Sequence, residues 1–155
     1  MKLGVCYYPE QYPEHIWAKD AVQMRELGLK IVRLGEYAWY KMQPNREVFE
    51  WDWLDKIIEI MSNEGLQIVL CTPTSAPPSW MINEHPDILP VGDTGISKNF
   101  GSRRHYCPNN PHFQKYTQEI VTKLAERYGH NPSIVGWQID NEFGEIGRAS
   151  CRERV

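Results

Sequence analysis

The sequence lacks a long apolar run, a signal peptide and an excess of positive charge. Its 155 residues carry a net charge of −3, which indicates neither a nucleic-acid partner nor an anionic membrane surface. No stretch approaches the roughly 18 apolar residues of a membrane-spanning helix, and no leader segment is recognisable at the start. We therefore expect a cytoplasmic protein with no nucleic-acid or membrane partner.

Closely spaced cysteines, as in the common metal-binding motifs, are also lacking. The four cysteines contain no C-x-x-C pair, so a cytosolic chain is expected to keep them as thiols. Aromatic residues, by contrast, are abundant, with six tryptophans and eight tyrosines. Flat rings either fill protein cores or cover the C–H face of a sugar, and composition leaves both roles open.

Four short apolar segments predict strands that are buried in a parallel sheet. Three helical stripes lie between them, with Gly28, Gly65 and Gly129 at their ends and Asn110 as an N-cap. Alternating strands and helices indicate an α/β fold with a parallel sheet and a long loop at 77–108. The predicted strands cover 3–8, 30–34, 67–71 and 134–139, and the predicted helices cover 14–27, 52–63 and 111–128.

Polar residues follow each predicted strand, and Asp140-Asn141-Glu142 follows the fourth. A carboxyl group at the C-terminal end of a strand in an α/β barrel occupies the usual catalytic position. A carboxylic acid with a raised pKa at such a position can protonate the oxygen of a leaving group. Taken alone, an Asn-Glu pair is more often part of a solvated loop, so the surrounding motifs decide its interpretation.

Five motifs, in order, resemble glycoside hydrolase family 42, the β-galactosidases of bacteria and archaea. The resemblance covers residues 1–144 and implies an α/β fold that is the N-terminal half of a (β/α)8 TIM barrel, truncated after about four βα units. It also implies a retaining enzyme that hydrolyses terminal non-reducing β-D-galactosyl residues. The motifs are GVCYYPEQ at 4–11, RLGEYAW at 33–39, TPTSAPPSW at 72–80, GSRRHYCP at 101–108 and WQIDNEFG at 137–144.

The resemblance implies roles for individual residues. Glu142 matches the general acid/base, Asn141 matches the ligand of the sugar 2-hydroxyl, and Arg103 matches an arginine that binds galactose hydroxyls. Arg104 is adjacent to Arg103 and is the alternative for that role. Glu36 is interpreted as an orienting residue, because the family nucleophile follows the seventh strand and this chain is expected to stop after the fourth.

No cofactor and no metal ligand is assigned. Cys107 matches a cysteine that some family members use, with three others, to bind a structural zinc ion, so it is a zinc candidate in the full-length parent only. Four ligands are needed for such a site, and the other three would follow Glu142.

Residues 145–155, EIGRASCRERV, show no helical stripe and no turn pattern. They resemble the translation of a short-read sequencing adapter. We therefore expect two parts, the N-terminal part of a catalytic domain at 1–144 and a non-native tail at 145–155. A chain that ends in this way would encode the acid/base but no nucleophile, so we expect it to be inactive by itself.

Two other functions remain open from the sequence. One is a related retaining glycosidase such as a β-glucosidase, and the other is a non-catalytic barrel that binds carbohydrate. The expected partner is a galactoside substrate, and the full-length parent is expected to form a homo-oligomer. A glutamate after a seventh strand in the continuing gene would favour the enzyme.

Overall fold

A computed structural model of the chain describes residues 1–92, 95–101 and 104–142. It contains a four-stranded sheet in the order β1-β2-β3-β4, and every neighbouring pair is parallel. The predicted parallel sheet is thus confirmed. The strands are β1 (Gly4–Cys6), β2 (Ile31–Leu34), β3 (Gln67–Cys71) and β4 (Ile134–Gln138).

Helices follow the first three strands and cross back along the sheet, as parallel strands require. All three predicted helices are confirmed, although the first begins with a separate 3-10 turn at Glu14–Ile16 and becomes α-helical only at Trp17. Two further short helices follow β2 and β3. The α-helices are α1 (Trp17–Glu26), α2 (Trp39–Met42), α3 (Asp52–Asn63), α4 (Ser79–Glu84) and α5 (Pro111–Tyr128).

The helix boundaries follow from local chemistry. The Asn110 side chain accepts hydrogen bonds from the backbone N–H groups of His112 and Phe113, which satisfies two donors at the start of α5. Gly28 and Gly65 adopt positive φ angles of 81° and 73° just after α1 and α3. Because residues with a Cβ disfavour this conformation, glycine permits the sharp exit towards the next strand.

The apolar core lies between the helices and one face of β2 and β3. Alternate residues of these strands, Val32, Leu34, Ile68 and Leu70, are fully or almost fully buried. They pack in one cluster with residues of α1, α3 and α5, such as Trp17, Ile57 and Ile120. The alternation reflects the two-residue period of a strand, which sends neighbouring side chains to opposite faces.

The edge strands are less protected. All three residues of β1 are exposed, and β4 contains one exposed and four half-buried residues. A shift of register between Ile68 and Val69 interrupts the ladder where β3 meets β4. Among the described residues, no helix is both long enough and apolar enough to span a bilayer.

Candidate active site

The C-terminal ends of the four strands bring polar side chains to one edge of the sheet. Parallel strands deliver their following loops to the same edge, which is where α/β barrels place their sites. Tyr8 follows β1, Glu36 follows β2, Thr72 and Thr74 follow β3, and the Asp140–Glu142 segment follows β4. The hydrogen bonds between these segments make them one connected network.

Glu36 is the centre of that network. Its side chain is only 3% exposed, and its carboxylate accepts hydrogen bonds from the Tyr8 hydroxyl (2.8 Å) and the Arg33 guanidinium (2.7 Å). The Gln138 amide donates to its other oxygen at 3.3 Å. Three donors satisfy the buried carboxylate and fix its orientation. These contacts join the ends of β1, β2 and β4 and support the interpretation of Glu36 as an orienting residue.

Tyr8 is held as a neutral phenol beside this carboxylate. Burial, together with the hydrogen bond that it donates to Glu36, raises the pKa of Tyr8 to about 12. The hydroxyl therefore remains protonated at neutral pH and continues to donate. Stacking of the Tyr8 and Tyr37 rings, with centroids 5.9 Å apart, places a second phenol next to the first.

Asn141, the predicted sugar ligand, is fixed by its neighbours. Its side-chain nitrogen donates to the Tyr37 hydroxyl at 3.0 Å, and the Gln138 amide donates to its side-chain oxygen at 3.4 Å. Gln138 contacts both Glu36 and Asn141, so the buried carboxylate orients the amide through one intermediate side chain. Such support keeps a binding group close to its working geometry.

Asp140 anchors the turn that carries Asn141 and Glu142. Its carboxylate accepts hydrogen bonds from Thr74 Oγ1 (3.0 Å) and the Tyr106 hydroxyl (3.1 Å). Its backbone N–H donates to Thr72 Oγ1 at 2.7 Å. Burial and the charge of Asp140 raise the pKa of Tyr106 well above its ordinary value, so this hydroxyl also stays protonated. The end of β4 is therefore tied to β3 and to the loop before α5.

The backbone of this turn is strained. Asp140 and Glu142 adopt φ angles of 57° and 50°, in the left-handed region that residues other than glycine occupy infrequently. Each such residue costs roughly 1–3 kcal/mol and persists only where the surroundings impose it. Here the surroundings are the hydrogen bonds of Asp140. Glu142 itself is exposed at the edge of the sheet, where a substrate can reach it.

Of the two arginine candidates, the structure describes Arg104 alone. Arg103 lies outside the described residues, so its predicted role stays a prediction. Arg104 contacts the site, because its guanidinium donates to the Asn141 carbonyl and lies 3.7 Å from the Asp140 carboxylate. With both groups of that ion pair at most 14% exposed, the described contacts give Arg104 a positioning role on the Asp140–Glu142 turn.

Sequence reasoning singled out Asn141 and Glu142, whose roles stay predictions, but not the residues that contact them. Gln138, Tyr37 and Thr72 lie inside the quoted motifs, but they have partners that are remote in sequence. The available signal was their position, since each lies at the C-terminal end of a strand or within three residues after it.

The zinc role of Cys107 in the full-length parent stays a prediction, because its three partners were expected after Glu142, outside the described residues. Within 1–92, 95–101 and 104–142, one group of three candidate ligands has atoms within 4.8 Å of one another, and it consists of His85, Asp87 and His112. Cys107 is not a member of that group. The predicted tail at 145–155 lies outside the described residues.

Comparisons with known proteins agree with the motifs. Residues 6–155 match the sequence profile of glycoside hydrolase family 42, described as β-galactosidase. A β-galactosidase of Thermus thermophilus is 49% identical over 96% of this chain and 23% of its own length. The β-galactosidase Bga of Halorubrum lacusprofundi is 44% identical over 100% of this chain and 21% of its own length.

Solved structures show the same fold. The crystal structure of a β-galactosidase from the psychrophilic Marinomonas ef1 superposes with a TM-score of 0.90 at 44% identity, over 93% of this chain and 22% of that one. The four-stranded parallel sheet is thus an N-terminal portion of a (β/α)8 barrel. The chain spans little more than a fifth of the length of the relatives that it matches.

Proposed function

This chain belongs to glycoside hydrolase family 42, and on that premise we propose that the full-length protein is a retaining β-galactosidase with Glu142 as its general acid/base. Its substrates would be terminal non-reducing β-D-galactosyl residues, which is the activity named for the relatives above. The observation that carries this proposal is the anchored Asp140–Glu142 turn at the end of β4, with the Asn141 amide fixed beside Glu142.

The proposed chemistry assigns one step to each group. Glu142 protonates the glycosidic oxygen as positive charge develops on the sugar ring, and it later removes a proton from the attacking water. The Asn141 amide binds the 2-hydroxyl, a contact that strengthens in the transition state. Arg103 binds other galactose hydroxyls.

The nucleophile of this reaction is a second carboxylate, about 5–5.5 Å from the acid/base in retaining enzymes. Glu36 does not suit that role, since its carboxylate is buried and already accepts three hydrogen bonds. We therefore assign the nucleophile to a residue outside this chain. A double displacement with one of its two carboxylates absent loses many orders of magnitude in rate, so the 155-residue chain is expected to be inactive.

The experiment compares this chain with the protein encoded by the continuing gene. Both are assayed on a nitrophenyl β-galactoside, together with Glu142→Gln and with Glu126→Gln, an exposed glutamate on α5 that serves as the matched control. Turnover is expected from the longer protein and its Glu126→Gln variant, while Glu142→Gln should lose about 10²–10⁴-fold in kcat. An inactive longer protein would overturn the β-galactosidase proposal and favour a non-catalytic barrel.

The same protein is proposed to work in the cytoplasm as a homo-oligomer. The exposed thiol of Cys6 and the buried thiol of Cys71 are both free, as is usual in a reducing compartment. Burial raises the pKa of Cys71 to about 12, which keeps this thiol protonated and unreactive. Cell fractionation of the longer protein tests its location, and a secreted protein would contradict the proposal. Light scattering tests its oligomeric state, and a monomer would contradict that part.

A further inference from the structure

We propose that His85, Asp87 and His112 form a binding site for a divalent transition-metal ion of the Zn²⁺ class. One ligand atom from each of the three side chains lies within 4.8 Å of the other two. The site is separate from the Glu142 turn and does not depend on the galactosidase proposal. It would join the segment after α4 to the first turn of α5.

The donor set decides the class of ion. Two imidazole nitrogens and one carboxylate oxygen suit zinc, nickel, copper and cobalt, whereas calcium and magnesium need sets made mostly of oxygen. Three protein ligands leave a fourth tetrahedral position for a water molecule. That position is accessible, because Asp87 is exposed and the two histidines are half-buried.

The ligands are held by groups that metal sites commonly use as outer support. Asn110 donates a hydrogen bond to the Asp87 carboxylate at 2.8 Å, which orients one ligand. The Tyr116 hydroxyl lies 3.1 Å from His85 Nε2, which fixes the ring and leaves Nδ1 for the ion. Partners of this kind set the orientation and the tautomer of ligating side chains.

The two imidazoles are close neighbours, but they must tilt apart before both can bind one ion, because stacked rings direct their in-plane lone pairs in parallel. Their ring centroids are 3.7 Å apart and their planes differ by 10°. Ligand bonds of about 2.0–2.2 Å to one ion require the three donor atoms to approach by roughly 1 Å from their present spread. Rotation about side-chain torsions supplies that movement, since no ligand side chain is fully buried.

A bound ion would connect two segments of the chain that already contact each other. Asn110 joins Asp87 to the N-terminus of α5 through its own side chain, and the Cys107 N–H donates to the Ile88 carbonyl at 2.7 Å. A bound ion would add a third connection between the segment at 85–88 and the segment at 107–112. Because Tyr106 belongs to the loop between them and contacts Asp140, the ion would stabilise the loop that supports the turn.

The test uses the 155-residue chain, stripped of metal with a chelator and titrated calorimetrically with Zn²⁺ alone. We expect one ion per chain. Removal of one ligand in His85→Gln, His112→Gln or Asp87→Asn should weaken binding by roughly a hundredfold, since loss of even an outer partner typically costs about 10–100-fold. Asn110→Ser keeps an N-cap oxygen but removes the donor to Asp87, and should weaken binding by about tenfold.

Two controls make the result decisive. His130→Gln removes an exposed histidine beyond the end of α5, and Cys107→Ser removes the thiol candidate; both should bind Zn²⁺ like the parent. Circular dichroism checks the fold of every variant, and the exposed Asp87 provides a variant in which unfolding is not expected. Absence of binding, binding that survives Asp87→Asn, or binding that disappears in Cys107→Ser would each overturn the proposal.

Discussion

The strands β2 and β4 both begin with Ile-Val, yet the two valines have very different surroundings. Val32 in β2 is completely buried, whereas Val135 in β4 is 47% exposed. The difference comes from position, because β2 lies between two strands and under the helices. Among the described residues β4 pairs on one side only, and through an irregular ladder. Apolar sequence specifies a strand, and the neighbouring elements determine how much that strand contributes to stability.

The centre of the sheet and the end of β4 also differ in the interactions that stabilise them. The centre of the sheet is stabilised by apolar burial against α1, α3 and α5. The end of β4 is held mainly by the hydrogen bonds of Asp140, which accepts from Thr74 and Tyr106 and donates its backbone N–H to Thr72. A turn that is exposed at the edge of the sheet is not covered by an apolar core, so directional polar contacts fix it instead.

The largest loss of stability should come from truncating a buried side chain at the centre of the sheet. Ile68→Ala removes a side chain that is 0% exposed, and is expected to lower the free energy of unfolding by about 3–4 kcal/mol through lost burial and the cavity left behind. Ile139→Ala is the matched control, since Ile139 is 64% exposed and should cost less than about 0.5 kcal/mol. Urea titration measures both. Equal losses at the two sites would remove the distinction between centre and edge.

Removal of the Asp140 carboxylate should cause the second-largest loss of stability. Asp140→Ala removes the acceptor for Thr74 and Tyr106 and also leaves a Cβ residue without local support at a positive φ. We expect a loss of about 2–3 kcal/mol. Asp140→Asn should lose less, because asparagine tolerates the left-handed conformation and keeps one acceptor oxygen. Thermal and urea denaturation of the two variants give the order, and a larger loss in Asp140→Asn would contradict it.

The exposed edges should influence association more than stability. Within the described residues β1 and β4 each pair with one strand, so their outer sides can add a strand from another molecule. Val5→Lys and Val135→Lys place a charge at positions that are 38% and 47% exposed. Sedimentation of the 155-residue chain should show less concentration-dependent association in these variants, with the melting temperature nearly unchanged. Association that is identical in all forms would exclude the edges as its cause.

The pattern of the sequence was sufficient for the regular elements. The apolar runs located all four strands. The helical stripes located the three long helices, because each is long enough to show a period and is bounded by a glycine or an asparagine. The helix α2 was not predicted, since four residues, WYKM, are too few to show periodicity. The first strand is shorter than expected because the backbone turns into a 3-10 helix at Pro9.

The site was predictable only in part. Asn141 and Glu142 were found through a motif, but their support comes from contacts between residues far apart, such as Arg33 with Gln138. Nothing in the local sequence records such a pair, because it depends on strand order and register. The His85, Asp87 and His112 group was missed for the same reason, since Asp87 and His112 meet only after α5 folds back onto the loop.

A smaller effect concerns Glu10, which lies near the edge of the core. Among the described residues neither of its carboxylate oxygens has a hydrogen-bond partner. Burial raises its pKa above the ordinary 4.5, although its own backbone N–H and, less strongly, Lys41 oppose the shift. The charged form therefore costs stability at neutral pH, and that cost disappears as the pH falls through the raised folded value to below 4.5. Glu10→Gln should be more stable than the parent at pH 7 and indistinguishable from it near pH 4. A variant that is less stable at pH 7 would mean that the charge is favourable.

The role of Glu142 is tested most directly by restoring its function with an external nucleophile. In the protein encoded by the continuing gene, Glu142→Ala should form the galactosyl-enzyme from a substrate with a good leaving group but should hydrolyse it slowly, because no general base remains. Added azide should then restore turnover and give the β-galactosyl azide, with the configuration retained, while the alkaline limb of the pH–rate profile disappears. No rescue, an α-configured azide or a preserved alkaline limb would show that Glu142 is not the acid/base.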